Sequence, residues 1–372
     1  MSFQVPKYPY ERLEPLRKAA AALDGGSVDL SVGDPCDPPS PAVVEALASA
    51  ARASANRYPS SAGSPVAREA AARWMNERFG TVVGPEAVGL CVGTKELVAG
   101  LPGWLHLRQP EKDTVLYPEL AYPTYEMGAL LAGLRPVAVP VDEHFRLRLE
   151  AVEEDDAGRA LLLWVNSPGN PAGQVEDLAA AARWGRERGL LVASDECYAE
   201  FTWSGAASTV LLHGSGPDRS GGVLAVHSLS KRSNLAGLRF GWYAGDAEVV
   251  SFIRQVRQHA GFMVPGPVQG AGAVALSEPG SDQRERYRQR LGRLREILAM
   301  AGVDAPMPEG GIYLWAPAPA GDAWGFAELL AEKAGLVVSP GEFYGPAGAH
   351  HVRVAAVAPM ERLDLVAKRL GG

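Results

Sequence analysis

Short apolar runs alternate with stretches of helical periodicity through the middle of the chain. Each apolar run ends in Gly, Pro or polar residues, which is typical of strands that stop at a loop. Strands are predicted at Val88 to Val92, Asp113 to Tyr117, Ala160 to Val165, Leu190 to Ser194, Gly222 to Val226 and Arg239 to Ala244. Helices are predicted at Pro65 to Arg78 and at Val175 to Arg188. Two more are predicted, one beginning near Glu96 and another ending near Gly133. This alternation indicates an α/β fold with a mostly parallel sheet covered by helices on both faces.

The two ends of the chain carry further elements of both kinds. The N-terminal part predicts a helix at Glu11 to Leu23, a strand at Val28 to Val32 and a helix from Pro41 capped by Ser40. The elements predicted after Gly245 are helices Val250 to His259, Val268 to Leu276 and Arg284 to Ala301, strand Ile312 to Ala316, helix Phe326 to Lys333, strand Val337 to Ser339, strand His351 to Ala356 and helix Met360 to Leu370. We therefore predict a large domain of residues 45–275 and a smaller α/β domain built from residues 1–44 and 276–372.

Composition narrows the class of protein. The 372 residues are 47% hydrophobic and 21% charged, which suits a globular chain of about two domains. The net charge of −7 and the absence of any block of like charge disfavour nucleic acid and anionic membranes as partners. No apolar run approaches the ~20 residues that span a bilayer, and no secretory signal pattern begins the chain. The three cysteines and seven histidines show no metal-ligand spacing, so a cytoplasmic protein without a metal site is expected.

One lysine stands out in the loop that follows the fifth predicted strand of the middle region. The chain contains 29 Arg and only 7 Lys, so charge alone is a weak reason for Lys231. A lysine amine, unlike a guanidinium, loses its proton when it is desolvated or lies beside another cation such as Arg232, and then acts as a nucleophile. Ser228, Ser230 and Arg239 in the same loop are groups that bind phosphate.

Two neighbouring strand ends carry further polar groups. The strand ending at Val165 runs into Asn166-Ser167-Pro168-Gly169-Asn170-Pro171-Ala172-Gly173, a loop shaped by Pro and Gly. Asp195 ends the next strand, with Tyr198 close behind. A buried carboxylate there needs a partner. Since open α/β sheets bind ligands at the carboxyl ends of their strands, these groups are expected to converge on one site.

Taken together, these loops resemble a known family. The motifs N-x-P-x-N-P-x-G, D-E-x-Y and S-x-S-K with G-x-R-x-G, in this order and with Lys231 36 residues after Asp195, are similar to those of fold-type I pyridoxal-phosphate aminotransferases of class I and II. The resemblance implies a mostly parallel seven-stranded sheet between helices in the large domain, a smaller α/β domain from both termini, pyridoxal 5′-phosphate as cofactor, amino-acid and 2-oxo-acid substrates, and a homodimer with shared active sites.

The resemblance also implies residue roles around the cofactor ring. Lys231 would hold the cofactor covalently and later move the substrate proton, and Asp195 would keep the ring nitrogen protonated. Asn170 and Tyr198 would bond the phenolic oxygen. Tyr122 matches the aromatic residue that stacks on the ring, although Tyr125 is close enough to leave that choice open, and either could simply be core.

Further implied roles concern the phosphate and the substrate carboxylate. The phosphate would be held by Ser228, Ser230, Arg239, the turn Gly93-Thr94-Lys95 and Tyr58 of the second subunit, in a pattern where Ala67 replaces the usual leucine. Without the family, Tyr58 would be interpreted as a surface aromatic. The backbone of Gly33 and the side chains of Asn170 and Arg353 would bind the substrate, with Arg353 gripping its α-carboxylate.

A closer resemblance suggests the substrate. The stretches Gly93-Thr94-Lys95-Glu96-Leu97, Pro118-Glu119-Leu120-Ala121-Tyr122-Pro123-Thr124-Tyr125, Ser194-Asp195-Glu196-Cys197-Tyr198 and His350-His351-Val352-Arg353-Val354 look like the actinobacterial type of succinyldiaminopimelate transaminase. That type uses glutamate as the amino donor. It implies N-succinyl-2,6-diaminopimelate:2-oxoglutarate aminotransferase activity in lysine and diaminopimelate synthesis. The distal acyl group would need a cation or donors near the entrance, which the resemblance does not assign; Lys95 or Arg232 are guesses.

Three alternatives remain open from the sequence. The first is an aminotransferase for another substrate, such as aspartate, an aromatic amino acid or a secondary metabolite. The second is a pyridoxal-phosphate lyase. The third is a non-catalytic binding or regulatory protein on the same fold, against which the lack of an appended DNA-binding segment counts.

Overall fold

A computed structural model describes residues 6–53, 56–217 and 219–371. Its strands are β1 (Val28–Asp29), β2 (Val88–Val92), β3 (Thr114–Pro118), β4 (Arg135–Val139), β5 (Ala160–Asn166), β6 (Leu191–Asp195), β7 (Val223–Ser228), β8 (Phe240–Gly245), β9 (Tyr313–Pro317), β10 (Leu336–Val337), β11 (Ser339–Pro340) and β12 (His351–Ala355). Its α-helices are α1 (Glu14–Ala21), α2 (Pro41–Arg52), α3 (Pro65–Phe79), α4 (Thr94–Arg108), α5 (Thr124–Leu131), α6 (Glu154–Arg159), α7 (Leu178–Glu187), α8 (Leu229–Arg232), α9 (Ala247–Ala260), α10 (Gly266–Ser277), α11 (Ser281–Met300), α12 (Ala323–Ala334) and α13 (Met360–Gly371).

The main sheet has seven strands in the order β2-β8-β7-β6-β5-β3-β4. Strand β8 runs antiparallel to β2 and β7, and the other neighbours pair in parallel. Strand β5 is buried along its whole length, as a central parallel strand covered on both faces should be. One face packs against α3, α7 and α10, and the other against α4, α5 and α9. The predicted α/β architecture and mostly parallel seven-stranded sheet are confirmed.

A second layer is built from both termini. Strands β11, β12 and β9 form an antiparallel sheet, and β1 pairs in parallel with β10. These strands share one apolar core with α1, α11, α12 and α13. The division at residues 45 and 275 stays a prediction.

Several elements differ from those predicted. The edge strand β4 was missed because Pro136 lies within it, and proline is tolerated in a sheet mainly at such an edge. The short helix α6 was also missed. The helix predicted at Glu11 to Leu23 begins as a 3₁₀ turn at Pro9–Leu13 and becomes α-helical only where Pro15 occupies the first turn of α1.

Two predicted strands are also modified. The strand predicted at Val28 to Val32 pairs only over β1. The strand predicted at Val337 to Ser339 is divided into β10 and β11, because its two halves pair with different neighbours.

In the part of the chain that the structure describes, no helix is long and apolar enough to cross a membrane. Those residues also contain no group of three or more His, Cys, Asp or Glu arranged to hold a metal ion.

Candidate active site

The carboxyl ends of β5, β6 and β7 meet at one edge of the main sheet. Asn166 and Asp195 are directly paired in the parallel register of β5 and β6, and Ser228 ends the next strand. A cleft of about 240 Å³ opens at this edge and extends to the small sheet. The predicted residues that line it are Gly33, Thr94, Lys95, Tyr122, Asn170, Asp195, Tyr198, Ser228, Ser230, Lys231, Arg239 and Arg353.

Lys231 enters the cleft from the short helix α8. Ser228 caps this helix, accepting a hydrogen bond from the Ser230 backbone N–H at 3.0 Å. The Lys231 amine donates to the carbonyl oxygen of Gly33, so it bridges the sheet edge and the N-terminal loop. Desolvation lowers the pKa of the Lys231 amine to about 8. The neutral amine, which is the nucleophilic form, therefore becomes the main form above about pH 8 rather than above the pH of an ordinary lysine.

The charges that shift the pKa of Lys231 are not the one that the sequence of its loop predicts. Arg353 and Arg239 lower the pKa of Lys231 further, whereas Asp34 raises it. Arg232, the expected neighbouring cation, is buried away from the cleft and pairs with Glu200 at 2.7 Å. Its guanidinium also donates to backbone carbonyls at the end of α10. Arg232 therefore does not line the cleft, because Glu200 and the end of α10 hold its guanidinium elsewhere.

Asp195 is buried at the end of β6, where its carboxylate accepts two hydrogen bonds. The Cys197 backbone N–H lies 3.2 Å from one oxygen and the Tyr125 hydroxyl 3.0 Å from the other. Burial raises the pKa of Asp195, and these hydrogen bonds offset only part of that effect. Among the described residues no Lys, Arg or His forms an ion pair with it. A cationic ligand group would favour the ionised carboxylate.

Tyr122 and Tyr125 both line the cleft but differ in burial, and which of them stacks on the ring stays a prediction. Tyr125 is completely buried, with its ring stacked on Trp164 at a centroid distance of 5.2 Å and an interplanar angle of 24°. It therefore supports Asp195 from behind. Tyr122 lies edge-on to Tyr125 and lines the cleft. The sequence shows both tyrosines but does not indicate that the hydroxyl of Tyr125 is the one that bonds to Asp195.

Arg353 is held in a rigid position within β12. One terminal nitrogen donates to the Asn170 side-chain oxygen at 2.7 Å, and the other to the Ser31 carbonyl oxygen at 2.6 Å. The guanidinium carbon lies 4.1 Å from the ring centroid of Tyr313 and 4.6 Å from that of Tyr344. These contacts orient a buried cation without neutralising it, so Arg353 is prepared to bind an anion.

A cluster of tyrosines was not found from the sequence. The hydroxyls of Tyr198 and Tyr313 lie 2.8 Å apart, as do those of Tyr10 and Tyr344. A side chain at Gly33 would collide with the Tyr313 hydroxyl, because its Cβ would lie only 2.1 Å away. The absence of a side chain at Gly33 thus allows the N-terminal loop to close over the small sheet.

Donors suited to a phosphate lie at the opposite end of the cleft. Gly93 has φ +71° at the start of α4, and a Cβ there would lie 2.1 Å from a terminal nitrogen of Arg239. The guanidinium therefore lies directly over a helix N-terminus, whose first N–H groups favour an anion. The side-chain oxygens of Ser228 and Ser230 lie 2.8 Å apart in the same region. Amine, buried carboxylate and phosphate donors together fit pyridoxal phosphate.

Lys95 and Tyr58 complete the predicted set. The Lys95 side chain leaves the first turn of α4 toward the mouth of the cleft, with its amine 5.2 Å from the ring centroid of Tyr8 and 5.9 Å from that of Tyr122. Tyr58 is fully exposed and lines a separate surface pocket with Met263. Its contact with the cofactor of a second subunit stays a prediction.

Comparisons with known proteins cover nearly the whole chain. A model of the family described as aminotransferase class I and II matches residues 26–370. The 4-dedimethylamino-4-oxo-anhydrotetracycline transaminase OxyQ of Streptomyces rimosus is 41% identical over 99% of both chains. LL-diaminopimelate aminotransferase of Desulforudis audaxviator is 36% identical, over 99% of this chain and 95% of that relative. A solved structure of a probable N-succinyldiaminopimelate aminotransferase from Thermus thermophilus is 32% identical, with a TM-score of 0.86 over 97% of this chain and 98% of that one.

Proposed function

Because this chain belongs to the class I and II aminotransferase family, which uses pyridoxal phosphate, we propose that it exchanges amino groups between glutamate and N-succinyl-2,6-diaminopimelate. The observation that carries the catalytic part is the amine of Lys231 in the same cleft as the buried carboxylate of Asp195 and the fixed guanidinium of Arg353. The substrate is supported by the four sequence stretches and by two relatives whose names specify diaminopimelate compounds.

Each polar group of the cleft has a role in this proposal. Pyridoxal phosphate supplies, when bound, an aldehyde carbon for the substrate amine and a ring that withdraws electrons from Cα. Lys231 would hold the cofactor through its amine, and the same amine would take the proton from the substrate Cα. The Asp195 carboxylate would favour a proton on the ring nitrogen. Arg353 binds the substrate α-carboxylate bidentately, which fixes the direction of the Cα–H bond.

The remaining contacts fix the position of the ring. Ser228, Ser230, Arg239 and the first turn of α4 would bind the phosphate. Because the Asn170 oxygen accepts from Arg353, its amide nitrogen would be left to donate to the phenolic oxygen of the cofactor. Asn170 would thereby connect Arg353 to the cofactor site. Tyr198, whose hydroxyl lies beside that of Tyr313, would donate to the same oxygen.

The pH dependence of cofactor uptake tests the state of Lys231. Cofactor-free enzyme should combine with pyridoxal phosphate faster as pH rises through about 8, because folding lowers the Lys231 pKa to about 8 and only the neutral amine attacks. Asp34 raises this pKa, so Asp34→Asn should move the midpoint to lower pH. Rapid mixing with detection of the visible absorbance gives the midpoint.

The control for that experiment is Glu332→Gln, which removes an exposed carboxylate of α12 and should leave the midpoint unchanged. A midpoint near the ~10.4 of an ordinary lysine would contradict the proposed environment of the amine.

Substrate preference tests the proposed reaction. The purified enzyme should show a kcat/KM for N-succinyl-2,6-diaminopimelate at least about tenfold above the values for aspartate and phenylalanine, since a pocket shaped for one side chain discriminates by that order. Formation of glutamate from 2-oxoglutarate is the measurement. Faster turnover of either competing amino acid would refute the substrate assignment.

A secondary-metabolite substrate is the second candidate, favoured by the 41% identity to OxyQ. The name of that relative specifies a 4-oxo group on an anhydrotetracycline, whereas Arg353 suits a substrate with an α-carboxylate. Amination of such a polycyclic ketone in preference to the succinylated 2-oxo acid would favour this candidate.

One experiment distinguishes an aminotransferase from a lyase and from a non-catalytic binding protein. Glutamate added to the holoenzyme should convert the absorbance of the bound cofactor to that of its amine form. Release of ammonia without an oxo-acid acceptor would indicate a lyase, and an unchanged spectrum would indicate a binding protein.

A further inference from the structure

Tyr313 of β9 lies where three functional groups of the cleft meet. Its hydroxyl lies 2.8 Å from that of Tyr198, and its ring centroid lies 4.1 Å from the guanidinium carbon of Arg353. The backbone of Gly33, whose carbonyl accepts from the Lys231 amine, passes directly over the same hydroxyl. The roles described above for the proposed reaction leave this buried phenol without a task of its own.

The direction of the hydrogen bond between the two tyrosines follows from the number of protons. A phenol has one proton to donate. If Tyr198 gives its proton to the phenolic oxygen of the cofactor, its contact with Tyr313 has to use the proton of Tyr313. Among the described residues, the Tyr198 hydroxyl is the only hydrogen-bond partner of the Tyr313 hydroxyl, so this proton has no competing acceptor.

The surroundings preserve this arrangement. The two side chains are only 3% and 7% exposed, so bulk water does not replace either partner. Burial raises the pKa of both hydroxyls, so each keeps its proton at neutral pH. Tyr10 and Tyr122 also raise the pKa of Tyr313, whereas Arg353 lowers it in part and thus makes this hydroxyl a better donor. In such surroundings one hydrogen bond polarises and strengthens the next.

We propose that Tyr313 is a positioning residue whose hydroxyl donates to Tyr198 and thereby aims and strengthens the hydrogen bond of Tyr198 to the phenolic oxygen of pyridoxal phosphate. The inference rests on the proposed function and deepens it. Because the Tyr313 ring also packs against the guanidinium of Arg353, the same side chain connects the residue that binds the substrate carboxylate to the residue that binds the cofactor oxygen.

The test is a pH titration of the visible absorbance of the holoenzyme. That absorbance changes with pH as the nitrogen joining Lys231 to the cofactor loses its proton, and negative charge on the phenolic oxygen holds this proton in place. A hydrogen bond to the oxygen stabilises its charge and weakens that hold. Loss of the bond should therefore raise the midpoint of the titration.

The two tyrosines should differ in the size of this effect. Tyr198→Phe removes a hydrogen bond to a charged atom, which should raise the midpoint by about 1 to 2 pH units. Tyr313→Phe keeps the ring and removes only the second donor. Since such a donor strengthens the following bond by about 10–30%, we expect a rise of about 0.2 to 0.6 pH unit.

A double variant shows whether Tyr313 acts through Tyr198. In enzyme that already carries Tyr198→Phe, the further change Tyr313→Phe should leave the midpoint where it is, because the hydroxyl that transmits the effect is gone. An unchanged or lower midpoint in Tyr313→Phe alone would overturn the inference. So would an equal rise in both backgrounds, which is the result that a general disturbance of the cleft would give.

The matched control is Tyr344→Phe. Tyr344 also places its ring against Arg353, at 4.6 Å, but its hydroxyl bonds to that of Tyr10 and not to Tyr198. Its loss should leave the midpoint of the titration unchanged. A rise as large as that in Tyr313→Phe would assign the effect to the surroundings of Arg353 and overturn the proposed role.

Failure of the proposed function has a different outcome. If wild-type enzyme prefers another amino acid but the midpoints shift as expected, the substrate assignment falls and the role of Tyr313 stands. If the succinylated diamine is preferred but the midpoint of Tyr313→Phe equals that of wild type, the role of Tyr313 alone falls.

Discussion

Lys231→Ala enzyme is expected to lose transamination and the visible absorbance of bound cofactor together. The physical reason is that, in the proposed reaction, one amine has two tasks, covalent attachment of the cofactor and transfer of the Cα proton. The loss in kcat should reach at least about 10⁴-fold, the upper range for a single general base, because attachment is lost as well. Coupled assay of glutamate formation and absorbance spectroscopy measure the two effects on the same sample.

Two further variants make this result specific. Lys231→Arg retains a positive charge but not a nucleophilic amine, so it should be as inactive as Lys231→Ala. Lys333→Ala, on the exposed side of α12, should behave as wild type. An active Lys231→Ala enzyme with a normal spectrum is incompatible with the proposed chemistry.

The convergence of polar groups at the sheet edge could be predicted from the sequence, because each group directly follows a strand in the chain. Asn170, Asp195 and Lys231 each lie at or just beyond the carboxyl end of a strand, and β5, β6 and β7 are adjacent and parallel. The parallel register then brings their ends together without any further information. Successive side chains of a strand point to opposite faces of the sheet, so the residues adjacent to Asp195 and Ser228 face away from the cleft.

Glu196, which follows Asp195, and His227, which precedes Ser228, were not predicted to interact. They are buried behind the cleft with the His227 Nε2 3.3 Å from a Glu196 oxygen. Burial raises the pKa of Glu196 to about 8 and lowers that of His227 to about 3, so each group is favoured in its neutral form. Their adjacency depends on the register between β6 and β7. Both strands are buried along their whole length, so no alternation of apolar and polar residues indicates that register.

The tyrosines around Arg353 could not be predicted from the sequence as part of the site. Tyr10, Tyr313 and Tyr344 meet at the cleft although more than 300 residues separate the first from the others. In the sequence Tyr313 is an aromatic within an apolar strand, whereas Tyr10 and Tyr344 lie among Pro, Gly and charged residues, and none belongs to a recognisable motif. Only packing of the small sheet against the N-terminal turn shows that their hydroxyls are paired. Contacts between distant segments set this part of the site, so no local motif could indicate it.

Asp195→Asn should retain cofactor but lose most of its catalysis. The amide has nearly the same shape, so Lys231 and the phosphate donors still hold the cofactor, but a neutral side chain does not stabilise a proton on the ring nitrogen. Removing one member of a buried charge pair costs about 3–5 kcal/mol, which corresponds to a fall in kcat of about 10²- to 10⁴-fold. Single-turnover rates with glutamate measure this loss, and the visible spectrum checks occupancy.

Tyr125→Phe provides the graded comparison for the same carboxylate. It removes one hydrogen bond that lowers the pKa of Asp195, so the acid limb of the pH–rate profile should move to higher pH, with a smaller loss of rate at alkaline pH. The direction follows because a weaker bond to the ionised form favours protonation, and a protonated Asp195 cannot hold the ring proton. A full rate in Asp195→Asn, or an acid limb that moves to lower pH in Tyr125→Phe, would show that the carboxylate of Asp195 does not control the ring nitrogen.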